Sequence, residues 1–444
     1  MPITVGMVSL GCSKNQVDAE HMLADLRRQG FAFSADPASC DAVIVNTCGF
    51  IEDAKAESIE AILEMCALKG EGGPGVVAVT GCLAERCGAL FSQEIPEADV
   101  VLGIGSNDKL GEAIKQALGG DKVFLQGERT ALSLEGEREL LNPPHYAYLK
   151  LADGCDNRCH YCAIPLIRGP FRSRRMEDVL KEAIELVQSG VKEINIVAQD
   201  TTRYGEDIYD QLILPELIDT LCRIEDLKWL RLLYCYPDRV TDELIDTIAR
   251  QPKVVKYIDL PLQHISTGVL QGMNRPMSGD AIRALLKKIR ARIPGVVVRT
   301  TFIAGLPGEG EAEFAELCDF IREQKFERLG CFAFSPEEDT PAYSMEFPAA
   351  EQRHRRADHI MDLQRPIAEA ISEALVGQIF TVLCEGYDPE VQAYVGRSYM
   401  DAPDVDIRVM FRSDMPLMPG DMPTVRITAA EGYDLWGEVA GVEA

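Results

Sequence analysis

Nothing in the 444 residues approaches the roughly 20 consecutive apolar side chains that a bilayer-spanning helix requires. The opening stretch MPITVGMVSLGC has neither the basic n-region nor the long apolar core of a secretory leader. The expectation is a cytoplasmic protein with no membrane partner. Positive charge is also scarce, with 45 Lys and Arg against 71 Asp and Glu and a net charge of −26. A surface that tracks nucleic-acid phosphate would be basic, so this balance argues against one and suits a basic partner. A third shortage concerns ligands. The loop GCDNRCHYC, residues 154–162, holds three cysteines in a short span and lacks a fourth.

Those three, Cys155, Cys159 and Cys162, are spaced C-x-x-x-C-x-x-C and follow the apolar run 147–151. A closed structural zinc site, like an ordinary iron–sulfur cluster, uses four protein ligands. Three thiolates leave one metal position open, and an open position is where chemistry occurs. Spacing alone also admits a zinc site completed by a residue such as His160, or three neighbouring buried thiols. The chain has 14 cysteines in all. In a reducing compartment such a number points to metal ligation more than to disulfides.

Residues 1–118 alternate β-branched bursts (TVGMVSLG, DAVIVNT, VVAVTG) with helical patterns (EHMLADLRRQG, AKAESIEAILEMCAL), which predicts a doubly wound α/β domain. Cys12, Cys48 and Cys82 each come directly after one of its strands. The carboxyl ends of parallel strands share one sheet edge, where open α/β sheets bind ligands. Small residues at crowded strand ends are the plain alternative for these three. Cys40, Cys66 and Cys87 fall elsewhere in the pattern and read as packing thiols. Residues 119–140 are polar and glycine-containing and read as a linker.

From 141 to 374 a strand-then-helix pattern repeats six times, which predicts a parallel sheet curved into a partial (β/α)6 barrel with its active site at the carboxyl ends of the strands. Gln199 and Asp200 end the second strand, Gln263 and His264 the fourth, and Gly305, Gly308 and Glu309 follow the fifth. The basic run Arg353, Arg355, Arg356 reads as a solvated helix face. From 375 to 444 the alternation becomes period two between Gly and Pro turns, as expected of a small antiparallel β-barrel.

The cysteine loop, with Tyr161 before its last thiol, resembles the signature of radical S-adenosylmethionine enzymes. Joined to three N-terminal cysteines and a terminal β-barrel, it resembles the methylthiotransferases over essentially the whole chain. The wording SLGCSKNQVDAE, VNTCGFIEDAKAESIEAI, LKLADGCDNRCHYCAIPLIRG, AQDTTRYGED and IDLPLQHIS is similar to the branch that modifies an aspartate of the twelfth small-subunit ribosomal protein. Two departures are Ser13, where that branch commonly has Pro, and Arg174-Arg175, where it has Arg-Pro.

The resemblance implies two 4Fe-4S clusters, one on Cys155, Cys159 and Cys162 and one on Cys12, Cys48 and Cys82. It implies S-adenosylmethionine contacts from Tyr161, Gln199, Gln263, Arg299, Gly305 and Glu309, and a five-stranded terminal TRAM domain that recognises substrate. It further implies a 5′-deoxyadenosyl radical that takes hydrogen from the aspartate β-carbon, sulfur delivery from the second cluster, and a methyl group from a second S-adenosylmethionine. The partners implied are a basic ribosomal protein, an electron donor and a sulfur donor. The transfer-RNA branch, which modifies an adenosine, is the nearest alternative; a non-enzymatic iron–sulfur carrier or a zinc-stabilised interaction protein is the alternative of another class. Residues 375–444 carry four basic side chains, Arg397, Arg408, Arg412 and Arg426, against twelve acidic ones. That surplus would repel phosphate, so transfer RNA is the less expected partner.

Overall fold

The computed structural model describes residues 2–440. The chain separates into two compact units. One comprises residues up to Leu141, Ala152–Arg174 and Ser335–Tyr343; the other comprises Asn142–Leu151, Arg175–Phe334 and the residues from Ser344 onward.

The first unit is built on six parallel strands: β1 Thr4–Ser9, β2 Ala32–Phe33, β3 Ala42–Thr47, β4 Val76–Gly81, β5 Val100–Leu102 and β6 Val123–Leu125. They lie in the order β2-β1-β3-β4-β5-β6. Its helices are α1 Ser13–Arg28, α2 Glu52–Gly70, α3 Cys82–Glu94 and α4 Leu110–Leu118. Strand alternation divides the core in two. Ala42, Ile44, Ala78 and Val100 pack with Met22, Leu26 and Ile114 of α1 and α4. Val43, Val45, Val77 and Val79 pack with Ile62, Leu83 and Phe91 of α2 and α3. A sheet buried on both faces needs apolar side chains at successive positions, which is why its strands read as continuous β-branched runs. The doubly wound domain is therefore present. The segment 119–140 differs from the linker expected: the triplet Val-Phe-Leu forms β6 beside β5. A three-residue strand is too short to show an alternation within a polar stretch.

In the second unit β7 Tyr146–Lys150, β10 Glu193–Val197, β11 Trp229–Leu232, β12 Val254–Asp259, β13 Val297–Ala304 and β14 Arg328–Ala333 form a parallel sheet in the order β14-β13-β12-β11-β10-β7. Strands β8 Ala152–Asp153 and β9 Arg172–Ser173 form a separate antiparallel ribbon in the first unit. The six βα strands fall where the sequence placed them. Ala147, Leu149, Ile194, Ile196, Leu230 and Leu232 make one face of β7, β10 and β11 apolar and buried. The opposite face, on the alternate residues, is polar: Tyr146, Tyr148, Glu193, Asn195 and Arg231.

Six strands close the chain: β15 Ile379–Thr381, β16 Leu383–Asp388, β17 Ala393–Arg397, β18 Val409–Arg412, β19 Thr424–Glu431 and β20 Asp434–Val439. They form one curled sheet in the order β15-β19-β20-β18-β17-β16. Its pairings are antiparallel except β18 with β20. The sixth strand and the parallel pair are both additions to the five-stranded expectation.

The connection between β17 and β18 explains the polar face of the large sheet. Tyr146 and Tyr148 donate to Asp404 at 3.2 and 3.1 Å, and Tyr257 donates to Asp406 at 2.7 Å. Arg328 donates to Asp401 at 2.6 Å, and Arg231 to the carbonyl of Tyr399 at 2.9 Å. Arg397 lies 2.8 Å from Glu193 and 2.6 Å from Glu385. An acidic loop of the terminal module thus satisfies side chains near the amino ends of the large sheet's strands. Burial pushes the Asp401 carboxyl up, and Arg328 opposes that. Arg328→Ala is expected to destabilise this unit by about 3–5 kcal/mol at neutral pH, because it leaves a buried carboxylate without its cation. The loss should shrink as pH falls, since a carboxyl of raised pKa protonates first. Denaturant midpoints of the variant and parent, measured across pH, check both statements.

Candidate active site: two sets of three thiols

Each N-terminal cysteine occupies a βα turn. Cys12 follows β1 closely and is the N-cap of α1. Cys82 is the first residue of α3, immediately after β4. Cys48 follows β3 directly and precedes α2. All three therefore lie on the carboxyl edge of the sheet, next to the point between β1 and β3 where the strand order reverses. Helix amino termini present unpaired N–H groups and positive potential, which favour thiolate.

The turns are packed against one another. Gly11 has φ +88°, and a Cβ there would lie 2.7 Å from Cys48 Cβ and 3.0 Å from its Sγ. Gly81 has φ +94°, and a Cβ there would lie 2.5 Å from the Thr47 carbonyl oxygen. Ser58 holds the Cys48 turn from both sides, its Oγ accepting from Cys48 N at 3.0 Å and donating to Cys48 O at 2.9 Å.

The three thiols differ electrostatically. Burial raises the Cys12 thiol, but Lys14, Arg168 and the backbone N–H groups of Asn15 and Lys14 outweigh it and bring the pKa below normal. Cys48 is pushed up to about 12 by burial and by the neighbouring Cys82 and Cys12. Cys82 is raised by burial against the pull of Arg168. The influence of Cys82 and Cys12 on Cys48 shows that the three thiols share a neighbourhood.

The second set belongs to the same unit. The ribbon of β8 and β9 closes the base of the loop, where Cys155 N donates to Gly169 O at 3.1 Å. Cys162 N donates to Cys159 O at 3.0 Å, and Ala342 N donates to His160 O at 3.0 Å. The loop leads into α5 Ile164–Arg168. Ala163 and Ile167 pack with Cys82 and Ile104 in one buried cluster. Arg168, at the end of α5, donates from Nη2 to Cys82 Sγ at 3.2 Å and to Asn15 Oδ1 at 3.1 Å. Its Nη1 donates to Asp18 and, at 3.4 Å, to Asp153, which itself accepts from Gly154 N at 3.0 Å. Arg168 was not among the residues singled out from the sequence; an isolated arginine after I-P-L-I carries no pattern. Arg86 adds a further tie, donating to Gly49 O beside Cys48 at 3.1 Å and to Glu337 at 2.6 Å.

Cys40, Cys66 and Cys87 belong instead to the core beneath α2 and α3, as packing thiols do. Among the described residues, no three His, Cys, Asp or Glu side chains converge on a position for a single metal ion. Thiolates that hold a cubane each take a different iron, so they need not converge on one point.

Of the other residues singled out, Tyr161 lies in the first unit, and Gln199, Gln263, Arg299, Gly305 and Glu309 lie in the second. Gln199 follows β10. Gln263, at φ +70°, continues the pairing of β12 with β13 through Thr301 O at 2.8 Å and Ile303 N at 2.9 Å. Gly305 and Glu309 follow β13. Glu309 is buried and accepts from Gly305 N at 2.9 Å and Arg356 Nη1 at 2.8 Å, with His264 Nε2 at 3.2 Å. Arg356 is therefore an internal partner and not the solvated residue its charge run suggested. Arg299 lies five residues before Ala304, about 17 Å back along the strand. It is held by Asp259 at 3.0 Å and faces Asp406 at 3.7 Å.

Models of three families match the chain: Uncharacterized protein family UPF0004 over residues 4–103, the Radical SAM superfamily over 149–321 and the TRAM domain over 376–440. The ribosomal protein uS12 methylthiotransferase RimO of Caldanaerobacter subterraneus subsp. tengcongensis is 48% identical over 436 residues, 98% of this chain and 99% of the relative. The chain belongs to the RimO family. The RimO protein of Pelotomaculum thermopropionicum is 47% identical over 99% of both chains. Among solved structures, the radical S-adenosylmethionine methyltransferase TsrM from Kitasatospora setae, with cobalamin and a [4Fe-4S] cluster bound, superposes with a TM-score of 0.57 at 16% identity. That match covers 85% of this chain and 79% of TsrM and establishes a shared fold.

Membership of the radical S-adenosylmethionine superfamily implies a 4Fe-4S cluster and S-adenosylmethionine. The donor set fits: three soft thiols on a loop pinned at its base, without a fourth cysteine in the loop. After anaerobic reconstitution, Cys159→Ala is expected to abolish reductive cleavage of S-adenosylmethionine, while Cys48→Ala retains it. Measured 5′-deoxyadenosine that persists in the Cys159 variant, or is lost equally in both, would contradict the separate roles of the two sets.

Proposed function

We propose that this chain methylthiolates the β-carbon of an aspartate in ribosomal protein uS12. The observation that carries the reading is the gathering of two three-thiol sets in one compact unit, joined through α5 and Arg168. Near-complete coverage by relatives named for that activity supports it.

On this reading Cys155, Cys159 and Cys162 hold one 4Fe-4S cluster, and Cys12, Cys48 and Cys82 hold a second. The glycines beside Cys12 and Cys82, and the Ser58 clasp on Cys48, let the turns that carry the N-terminal thiols pack closely against one another. When bound, the first cluster with S-adenosylmethionine supplies a hydrogen-abstracting radical, and the second presents sulfur. Tyr161, Gln199, Gln263 and the Gly305 turn are the proposed cofactor contacts. Glu309 shapes that turn from within, since Gly305 N, Arg356 and His264 engage its carboxylate. We leave Arg299 out of the contact set because Asp259 and Asp406 hold its guanidinium.

The protein substrate also accords with the terminal module. Asp401, Asp404 and Asp406 are engaged with the large sheet, yet Glu390, Asp414, Asp421, Glu431 and Glu438 remain exposed. A negative surface attracts a lysine- and arginine-rich protein and speeds its encounter. An electron donor and a sulfur donor are further proposed partners. The division into 1–118, 141–374 and 375–444 is the proposed functional one, for sulfur presentation, radical generation and substrate docking.

The deciding experiment incubates the anaerobically reconstituted full chain with S-adenosylmethionine, a sulfide source, a reductant, and either uS12 or transfer RNA. Mass spectrometry is expected to find one methylthio group on an aspartate of uS12 and none on the RNA. Modification of an adenosine instead would overturn the substrate while leaving the radical chemistry intact.

A further inference from the structure

We propose that Arg168 is a positioning residue for the N-terminal cluster, donating a charge-assisted hydrogen bond to the Cys82 sulfur and so raising the potential at which that cluster accepts an electron. The inference rests on the two-cluster reading above.

The geometry is specific. A guanidinium has five N–H donors in a rigid fork and retains its charge when buried. Here Asp18 and Asp153 engage Nη1, and Asn15 and Cys82 engage Nη2. The pair of carboxylates answers the cost of burying the cation, which an isolated Arg168 could not sustain. A purely structural clamp would be complete with those carboxylates. The remaining Nη2 instead points at a thiol and at Asn15, whose side-chain amide donates to the carbonyls of Leu10 at 2.8 Å and Thr47 at 3.2 Å. Those carbonyls belong to the turns that carry Cys12 and Cys48. Arg168 thus touches one cysteine directly and braces the turns of the other two through Asn15. Its charge also bears on all three thiols.

The physical consequence follows from charge. Reduction adds an electron to a cluster already carrying thiolates, and N–H donors to sulfur stabilise the more negative state. Hydrogen bonds from ionised donors are about twice as strong as neutral ones. Loss of Arg168 should therefore make the N-terminal cluster harder to reduce. Arg168→Lys keeps the charge but not the fork, because an ammonium cannot span Asp18, Asp153, Asn15 and Cys82 together.

The test uses the full chain with Cys155, Cys159 and Cys162 all changed to Ala, so that only the N-terminal thiols bind iron. Potentiometric titration followed by electron paramagnetic resonance is expected to give a more negative midpoint for Arg168→Gln and an intermediate one for Arg168→Lys. With ¹⁵N-labelled arginine, pulsed resonance of the reduced protein that retains Arg168 should show a weakly coupled ¹⁵N. That coupling should vanish in both variants. The labelled measurement needs no change at position 168, so it decides the matter even if Arg168→Gln fails to hold its cluster. A bound cluster with no ¹⁵N coupling and an unshifted midpoint would overturn the role of Arg168. Failure of the triple-alanine protein to bind iron would instead overturn the two-cluster reading.

Discussion

A thiolate can be held inside a protein only where something answers its charge, and in the N-terminal unit the side chains and backbone supply that answer most fully at Cys12. The carboxyl edge of a parallel sheet is where the chain turns from strand into helix, so the turns after β1 and β4 deliver Cys12 and Cys82 at helix amino termini, while Cys48 lies ahead of the N-cap of α2. The balance still differs from turn to turn. Cys12, at an N-cap with Lys14 and Arg168 near it, is driven toward thiolate, whereas Cys48, through burial and then the neighbouring Cys82 and Cys12, is driven away. Ionising all three together without cations would be prohibitive. On the proposed two-cluster reading, iron would supply those cations, and thiols that repel one another as bare anions would become suitable as joint ligands.

The second unit solves a related problem with opposite signs. The polar face of its sheet, rich in tyrosine and arginine near the strand starts, would be costly against an apolar filler. The chain returns nearly 150 residues after Tyr257 to lay Asp406 on that tyrosine, and nearby aspartates reach Tyr146, Tyr148 and Arg328. Arginine suits this setting because its fork satisfies several acceptors from one position, as Arg397 does with Glu193 and Glu385.

What was legible in the sequence follows from how local its cause is. Strand runs such as VVAV and EINIV announce themselves because burial on two faces constrains each residue separately. The placement of Cys12, Cys48 and Cys82 at one sheet edge was legible because a βα turn is local and the shared edge follows from topology. The internal partners of Arg168 and Arg356 were not legible. A charged side chain in sequence reads as solvated by default, and only the fold shows that Asp153 and Glu309 await them. The strand β6 was hidden for another reason: three residues do not establish a period. The parallel pairing of β18 with β20 was hidden because pairing direction is set by chain connectivity, which alternation does not encode.

The aspartate-bearing connection between β17 and β18 changes what it means for this chain to be modular. In sequence the last 70 residues look like a cassette that could be exchanged among relatives. In the folded protein that cassette carries the counter-ions for side chains rooted in strands far upstream. A chimera made by cutting at residue 375 would leave Arg328, Tyr146 and Tyr257 facing whatever loop the donor brought. Such a graft would have to transplant the spacing of Asp401, Asp404 and Asp406 along with the barrel. The two segments are thereby obliged to inherit together, so a change on either side of residue 375 constrains the substitutions its counterpart can accept.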